Sequence, residues 1–187
     1  MSLEHIMVDL ETLSAREDAA ILSIGAVRFD LDELKVGDAN QEFYVVVDGA
    51  DCQRHGLRVD FDTVRWWMTQ DKAAQAAAFQ RGESLEFALV MFDTFVTKVK
   101  DSVVWGNGAT FDNMILRSAF RACKIPYPVS YRNDLCYRTI RRMFPLTEEE
   151  QSPLAPVVAH KSLDDARSQA QKLVATFCKL RRILPCA

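Results

Sequence analysis

His5-Ile6-Met7-Val8-Asp9-Leu10-Glu11-Thr12 sets two carboxylates inside a run of apolar and β-branched residues. Such a run reads as a buried strand. Side chains alternate along a strand and each residue advances ~3.3 Å, so positions i and i+2 leave one face roughly 6.6 Å apart. Asp9 and Glu11 are therefore expected to point the same way, at a spacing that suits two acids sharing a pair of cations. Taken alone, the triplet fits a solvated strand end equally well, because charged residues make up about a quarter of an average chain.

Two further segments shift that balance. Val103-Val104-Trp105-Gly106-Asn107-Gly108 is a short apolar strand running into a turn, followed by Ala109-Thr110-Phe111-Asp112-Asn113-Met114 at the start of a helix. An acid in the first helical turn is favoured by the helix dipole and can face a cation held at the strand ends. Asp112 is placed there, and a plain helix-start acid is the alternative. His160-Lys161-Ser162-Leu163-Asp164-Asp165-Ala166 opens a second helix, continued at helical spacing by Ala170, Leu173, Val174, Phe177 and Leu180. Ser162 is expected as its N-cap with Asp165 three residues on, so that His160 and Asp165 reach a common point while Asp164 serves the dipole. His5 and His55 lack such company and read as ordinary histidines.

Hydrolysis of a nucleic-acid phosphodiester at neutral pH needs a strong nucleophile and neutralisation of charge on the phosphate and the leaving oxygen. A pair of divalent ions supplies both. Hard Mg²⁺ or Mn²⁺ takes a few carboxylates together with phosphate oxygens and water, so Asp9, Glu11, Asp112 and Asp165 suffice as metal ligands for two such ions. A free histidine titrates near ~6.5 and suits removal of a proton from the attacking water. His160 is therefore expected as general base rather than ligand.

These residues resemble the DEDD 3'-5' exonucleases of the ribonuclease-H-like fold, in the subgroup whose fifth residue is histidine. Asp9 and Glu11 match the family's D-x-E, Asp112 its second motif, and His160, Asp165 and Ala166 its H-x-x-x-x-D-A, which also selects Asp165 over Asp164. The resemblance covers almost the whole chain. It is strongest to the small stand-alone group that includes phage exodeoxyribonuclease A and bacterial exoribonuclease AS. That similarity rests on Asp9-Leu10-Glu11-Thr12-Leu13, Ala20-Ile21-Leu22-Ser23-Ile24-Gly25-Ala26-Val27, Thr63-Val64-Arg65-Trp66-Trp67-Met68-Thr69-Gln70 and Trp105-Gly106-Asn107-Gly108. Replicative-proofreading relatives usually continue D-x-E-T with threonine and glycine, whereas Leu13 and Ser14 stand here.

The resemblance implies release of nucleoside 5'-monophosphates from single-stranded or overhanging 3' ends of RNA or DNA, and a homodimer. A non-catalytic module of the same fold that binds 3' ends is the alternative. Thr12 and Leu13, just past the carboxylate pair, are expected to touch the terminal nucleotide, as the family's corresponding positions do. A base needs an apolar platform, so one of Trp66 and Trp67 is expected to face substrate, with the choice leaning to Trp66. Asn107 either hydrogen-bonds a phosphate or adopts the left-handed turn conformation that asparagine tolerates.

The length of 187 residues fits one domain over 1–187, large enough to bury about 70% of its unfolded surface. With 49% hydrophobic and 26% charged residues the composition is globular. No apolar run reaches the ~20 residues of a membrane span, and no membrane partner is expected. Five scattered cysteines without C-x-x-C spacing argue against a zinc or disulfide framework, and with the missing signal pattern they fit a reducing cytoplasm. A net charge of -3 argues against a generic nucleic-acid coat protein, although two bound cations would offset the acids. Arg117, Arg121 and Lys124 on one helix, and Arg138, Arg141 and Arg142 on another, could meet phosphates or simply form solvated faces.

Strands are expected near 4–12, 19–30, 40–48, 103–106 and 129–132, the first three as an antiparallel meander. Helices are expected near 62–70, 72–80, 84–99, 111–123, 134–144 and 162–182, with 145–156 as a loop. Together these make an α/β architecture, a mixed five-stranded sheet flanked by helices.

Overall fold

The computed structural model describes residues 4–154, 156 and 158–183. Strand β1 (His5–Thr12) runs antiparallel to β2 (Ile21–Asp30), with Asp9 opposite Gly25 and Glu11 opposite Ser23. Burial of β2 on both faces matches its nearly unbroken apolar sequence. Two strands then share the far edge of β2: β3 (Lys35–Val36) pairs with Phe29 and Asp30, and β4 (Glu42–Val46) pairs with the stretch from Ser23 to Val27. Between them Asp38 caps a short 3-10 turn, with Gln41 bonding back to the cap. The meander is present, but its interrupted edge makes the sheet six-stranded rather than five-stranded.

Four helices follow: α1 (Gly49–Arg54), α2 (Phe61–Trp67), α3 (Lys72–Ala78) and α4 (Leu85–Thr97). The sequence reading missed α1, which is too short for periodicity to register and is marked mainly by its Asp48 cap. In α4, Leu85, Ala88, Leu89, Phe92, Phe95 and Val96 are buried, while Val99 falls beyond the helix end. Strand β5 (Val103–Gly106) then lies parallel to β1, and a π-type turn over residues 109–113 leads into α5 (Met114–Ala122).

The strand expected near 129–132 is instead a 3-10 turn over Tyr131–Asn133, capped by Ser130. The strand proper, β6 (Asp134–Cys136), pairs parallel with β5, and α6 (Tyr137–Met143) starts correspondingly later. Aspartate is a poor strand former, yet here its carboxylate is clamped by Arg117 at 2.7 Å, so tertiary pairing outweighs local preference. Within the expected loop, Thr147 and Glu150 form a capping box that starts the short α7 (Glu148–Gln151). The chain ends in α8 (Ser162–Ile183).

Strand order is β3-β2-β1-β5-β6, with β4 beside β2. One face carries Ile6, Val8, Leu10, Ile24 and Val104 against α1, α2, α4 and α5. The other carries Met7, Val27, Phe29 and Trp105 against Tyr137 of α6 and Ala166, Ala170, Leu173 and Val174 of α8. Alternation along β1 therefore sends Asp9 and Glu11 out on the Met7 face, the one that α8 covers.

Candidate active site

Helix α8 can approach the strands closely because of Gly25. A Cβ there would lie 2.2 Å from the backbone nitrogen of Leu163 and 2.2 Å from the carbonyl carbon of Ser162. Since Gly25 pairs with Asp9, the first turn of α8 is pressed against the sheet beside the carboxylates. The hydroxyl of Ser162, expected as the N-cap, is instead 2.9 Å from Ser23 Oγ on β2, and Ser162 itself is the first helical residue. Asp165 reaches back from the first turn, its Oδ2 accepting from the His160 N–H at 2.8 Å and tying the residues before the helix to it. His160 adopts a left-handed conformation with φ 60°, which turns the chain sharply before the helix. Asp164 Oδ2 accepts from the Val158 N–H at 3.2 Å and stays out of the cluster.

Asp112 enters from β5. Gly106 lies so close beneath it that a Cβ would sit 3.0 Å from Asp112 Oδ2 and 2.4 Å from Asn113 Oδ1. Gly108, with φ 136°, takes the conformation that glycine allows, so Asn107 is not the left-handed residue of the turn. Asn113 then anchors the segment, donating from Nδ2 to the Val104 carbonyl at 3.2 Å and to Asp134 Oδ1 at 3.1 Å. Asp112 Oδ2 is buried and has no hydrogen-bond partner among the described residues.

The result is a concentration of negative charge. Ligand atoms of Glu11, His160 and Asp165 all lie within 4.8 Å of one another. Burial, then repulsion from Asp165 and Asp112, pushes the Glu11 carboxyl up to about 8. Burial, followed by repulsion from Asp112, Glu11 and Asp165, holds Asp9 well above the ordinary range. Asp112 is pushed up to about 7 by burial, against the pull of the Asn107 and Leu10 N–H groups. Burial also raises Asp165. Like charges gathered in a desolvated place call for a counter-ion, and the donors offered are hard carboxylate oxygens with an orphaned one among them. That set suits a hard divalent cation.

The cluster opens into a cleft of about 570 Å³ lined by Asp9, Glu11, Thr12, Ser14, Asp62, Trp66, Asn107, Phe111, His160, Asp165 and Gln169, among others. Trp66 and Trp67 divide as neighbours on a short helix must. Trp66 is 43% exposed and Trp67 only 1%; the Trp67 indole N–H donates to the Thr12 carbonyl at 2.9 Å. The His160 ring stands edge-on to both indoles, its centroid 5.0 Å from that of Trp66. Thr12 lines the cleft, its hydroxyl donating to the Ser14 carbonyl at 2.8 Å. Leu13 is not brought to the cleft; its side chain is buried in the core. Asn107 lines the cleft with its Oδ1 buried and unpartnered among the described residues.

Gln169 was not foreseen. It lies one helical turn beyond Asp165, and its Nε2 donates to Asp9 Oδ1 at 2.7 Å. The i+4 spacing from Asp165 puts both on one face of α8, which was the signal available. Among the basic candidates, Arg117 is committed to Asp134 and Arg121 to Ser118 Oγ. Arg138 differs: its guanidinium carbon would lie 3.2 Å from a Cβ on Gly108, and its charge acts on Asp112.

Residues 4–177 match the family described as the 3'-5' exoribonuclease Rv2179c-like domain. The chain belongs to this 3'-5' exonuclease family. Members of such a family are nucleases, and their divalent-metal use agrees with the acidic cluster. No curated protein sequence matches. Among solved structures, cell-death related nuclease 4 (CRN-4) aligns with TM-score 0.59 and 14% identity over 97% of this chain, which spans 64% of the length of that one. The nuclease domain of 3'hExo, a DEDDh family member bound to rAMP, aligns with TM-score 0.61 and 12% identity over 94% of this chain and 92% of that one. The 3'-exonuclease in 3'-end specific recognition of histone mRNA stem-loop aligns with TM-score 0.60 and 11% identity over 94% of this chain and 81% of that one. These likenesses establish the ribonuclease-H-like α/β fold.

Proposed function

We propose that the chain is a two-metal-ion 3'-5' exonuclease that hydrolyses the terminal phosphodiester of single-stranded or overhanging nucleic acid, RNA before DNA, and releases nucleoside 5'-monophosphates. The observation that carries this reading is that Asp9 and Glu11 of β1 and Asp165 of α8 line one cleft with His160, while Asp112, buried in the turn after β5, lies near enough to repel Asp9 and Glu11. The preference for RNA is supported by the family description.

Asp9, Glu11, Asp112 and Asp165 would hold two Mg²⁺ or Mn²⁺ ions. Bound there, such a pair neutralises the phosphate and the leaving oxygen of an in-line displacement. His160, partly exposed at the mouth of the cluster, takes the proton from the attacking water. A bond forms between the water oxygen and phosphorus, and the bond from phosphorus to the 3' oxygen of the preceding nucleotide breaks. The freed 3' oxygen takes up a proton, and the phosphate leaves on the 5' side of the released nucleotide. Trp66 stacks the terminal base, and Thr12 and Asn107 contact the sugar-phosphate; Leu13 takes no part, since its N–H donates to the Ala20 carbonyl at 2.9 Å and its carbonyl accepts from the Asp60 N–H at 2.8 Å. A homodimer, implied by the resemblance, is testable by sedimentation.

The test is a time course on matched 5'-labelled RNA and single-stranded DNA oligomers with Mg²⁺, Mn²⁺ or chelator. The expected result is a metal-dependent ladder shortening from the 3' end, faster on RNA and absent in Asp9→Ala. His160→Ala should lose ~10²- to 10⁴-fold in turnover and keep its affinity for Mn²⁺. Intact substrates under every metal condition, with tight 3'-end binding, would replace this reading with a binding module. Cutting of circular strands would replace it with an endonuclease.

A further inference from the structure

We propose that Gln169 is a positioning residue that acts through Asp9: its side-chain amide holds one carboxylate oxygen aside, so that the other faces the cleft for a divalent cation. The inference rests on the proposed reading of the carboxylates as metal ligands.

The geometry is direct. Gln169 Nε2 donates to Asp9 Oδ1 at 2.7 Å, across 160 positions of sequence. Gln169 is 9% exposed and sits on α8 between Ala166 and Ala170, whose small side chains are buried against the strands. With Asp165 one turn before it, α8 contributes one acid and one support for an acid on β1.

Stability alone would not select glutamine here. Its Oε1 is buried without a partner among the described residues, and leaving a buried carbonyl unsatisfied is costly in a fold. A methionine of nearly the same length would avoid that cost. What glutamine supplies is a neutral donor. Lysine would add a positive charge competing with a cation, and glutamate would add another acid to a cluster that already repels itself. Hydrogen bonds to ligating groups from the surrounding shell fix their orientation, and losing one typically weakens metal affinity or activity by ~10- to 100-fold.

The test compares wild type, Gln169→Met and Gln169→Asn by Mn²⁺ binding without nucleic acid, by melting in chelator, and by kinetics on single-stranded RNA over a range of Mn²⁺ concentrations. Gln169→Met should bind Mn²⁺ about 10- to 100-fold more weakly, with Gln169→Asn between it and wild type. Turnover should fall at limiting Mn²⁺ and recover at saturating Mn²⁺, with KM for RNA there unchanged. The melting temperature of Gln169→Met in chelator should equal or exceed that of wild type. Wild-type Mn²⁺ affinity in a folded Gln169→Met, or a turnover defect that high Mn²⁺ leaves in place, would overturn the role of Gln169. Failure of wild type itself to bind Mn²⁺ would instead sink the reading of the carboxylates.

Discussion

Glu11 combines burial with like-charged neighbours, and its carboxyl stands at about 8, against about 4.3 in an unfolded chain. Between those values the folded protein holds a proton that the unfolded chain has lost, so stability declines as pH rises from about 4.3 to 8. Asp112, at about 7, adds to the same trend, and Asp9 and Asp165 are shifted in the same direction. The metal-free protein should therefore melt at lower temperature at pH 8.5 than at pH 6. Mn²⁺ should remove most of that difference, and Glu11→Gln should flatten it in chelator. A chelator-treated wild type whose melting temperature is constant over that range would contradict the electrostatic picture. Trp66 offers a second measurement at this scale. Stacking is worth ~1–3 kcal/mol per base, so Trp66→Ala should raise KM for single-stranded RNA about 5- to 150-fold while its melting temperature stays near wild type. The neighbouring Trp67→Ala should instead destabilise the fold, since it empties a buried site and frees the Thr12 carbonyl.

At the scale of elements, the decisive contact is between α8 and β2. A methyl on Gly25 would meet backbone atoms of Ser162 and Leu163 at 2.2 Å, and backbone, unlike a flexible side chain, cannot step aside locally. Overpacking of this kind costs ~1–3 kcal/mol or more. Gly25→Ala should lower stability by that amount and, by moving the α8 start, should reduce activity further than the stability loss accounts for. Circular dichroism melts with parallel turnover measurements separate the two effects. A variant with wild-type activity would show that the start of α8 need not sit so close. The sheet's remaining elements were legible in proportion to their length and periodicity. Strands β1, β2 and β5 and helices α4 and α8 stood out, whereas α1, β3, β6 and α7, each held by a cap or a pairing partner, did not.

For the whole molecule, the net charge of -3 and the acid-lined cleft oppose a polyanion. Binding of a 3' end should thus depend on the cation rather than on the protein's own field. Using His160→Ala to suppress turnover, labelled single-stranded RNA should bind with Mn²⁺ and lose at least ~10-fold in affinity with chelator. Equal affinity in both conditions would point instead to a protein-built phosphate site, for which Arg138 beside Gly108 is the place to look. The two-sided sheet explains why the cleft lies where it does. Alternation on β1 gives one face to Ile6, Val8 and Leu10 and the other to Met7, Asp9 and Glu11, and the latter ends where α8 begins.

The candidates Asp9, Glu11, Asp112, His160 and Asp165 were picked out by local signature (alternate positions of an apolar strand, a helix start after a Gly-Asn-Gly turn, the residues flanking a helix start) together with the motif resemblance that selects Asp165 over Asp164. The same locality made the α/β class readable. What needed tertiary structure were relations between segments far apart in the chain. Asp165 accepts from the His160 N–H, and the Ser162 hydroxyl meets Ser23 across 139 positions of sequence. Both tryptophans border the cleft, but Trp66 is the exposed one, whereas Trp67 is buried with its indole N–H on the Thr12 carbonyl. Leu13 went to the core, and Gln169 reached Asp9 only once α8 lay on β1. Local pattern records backbone preference and the side of an element that seeks burial; which buried polar group meets which is decided by packing, where every donor competes for the partners the fold brings within reach.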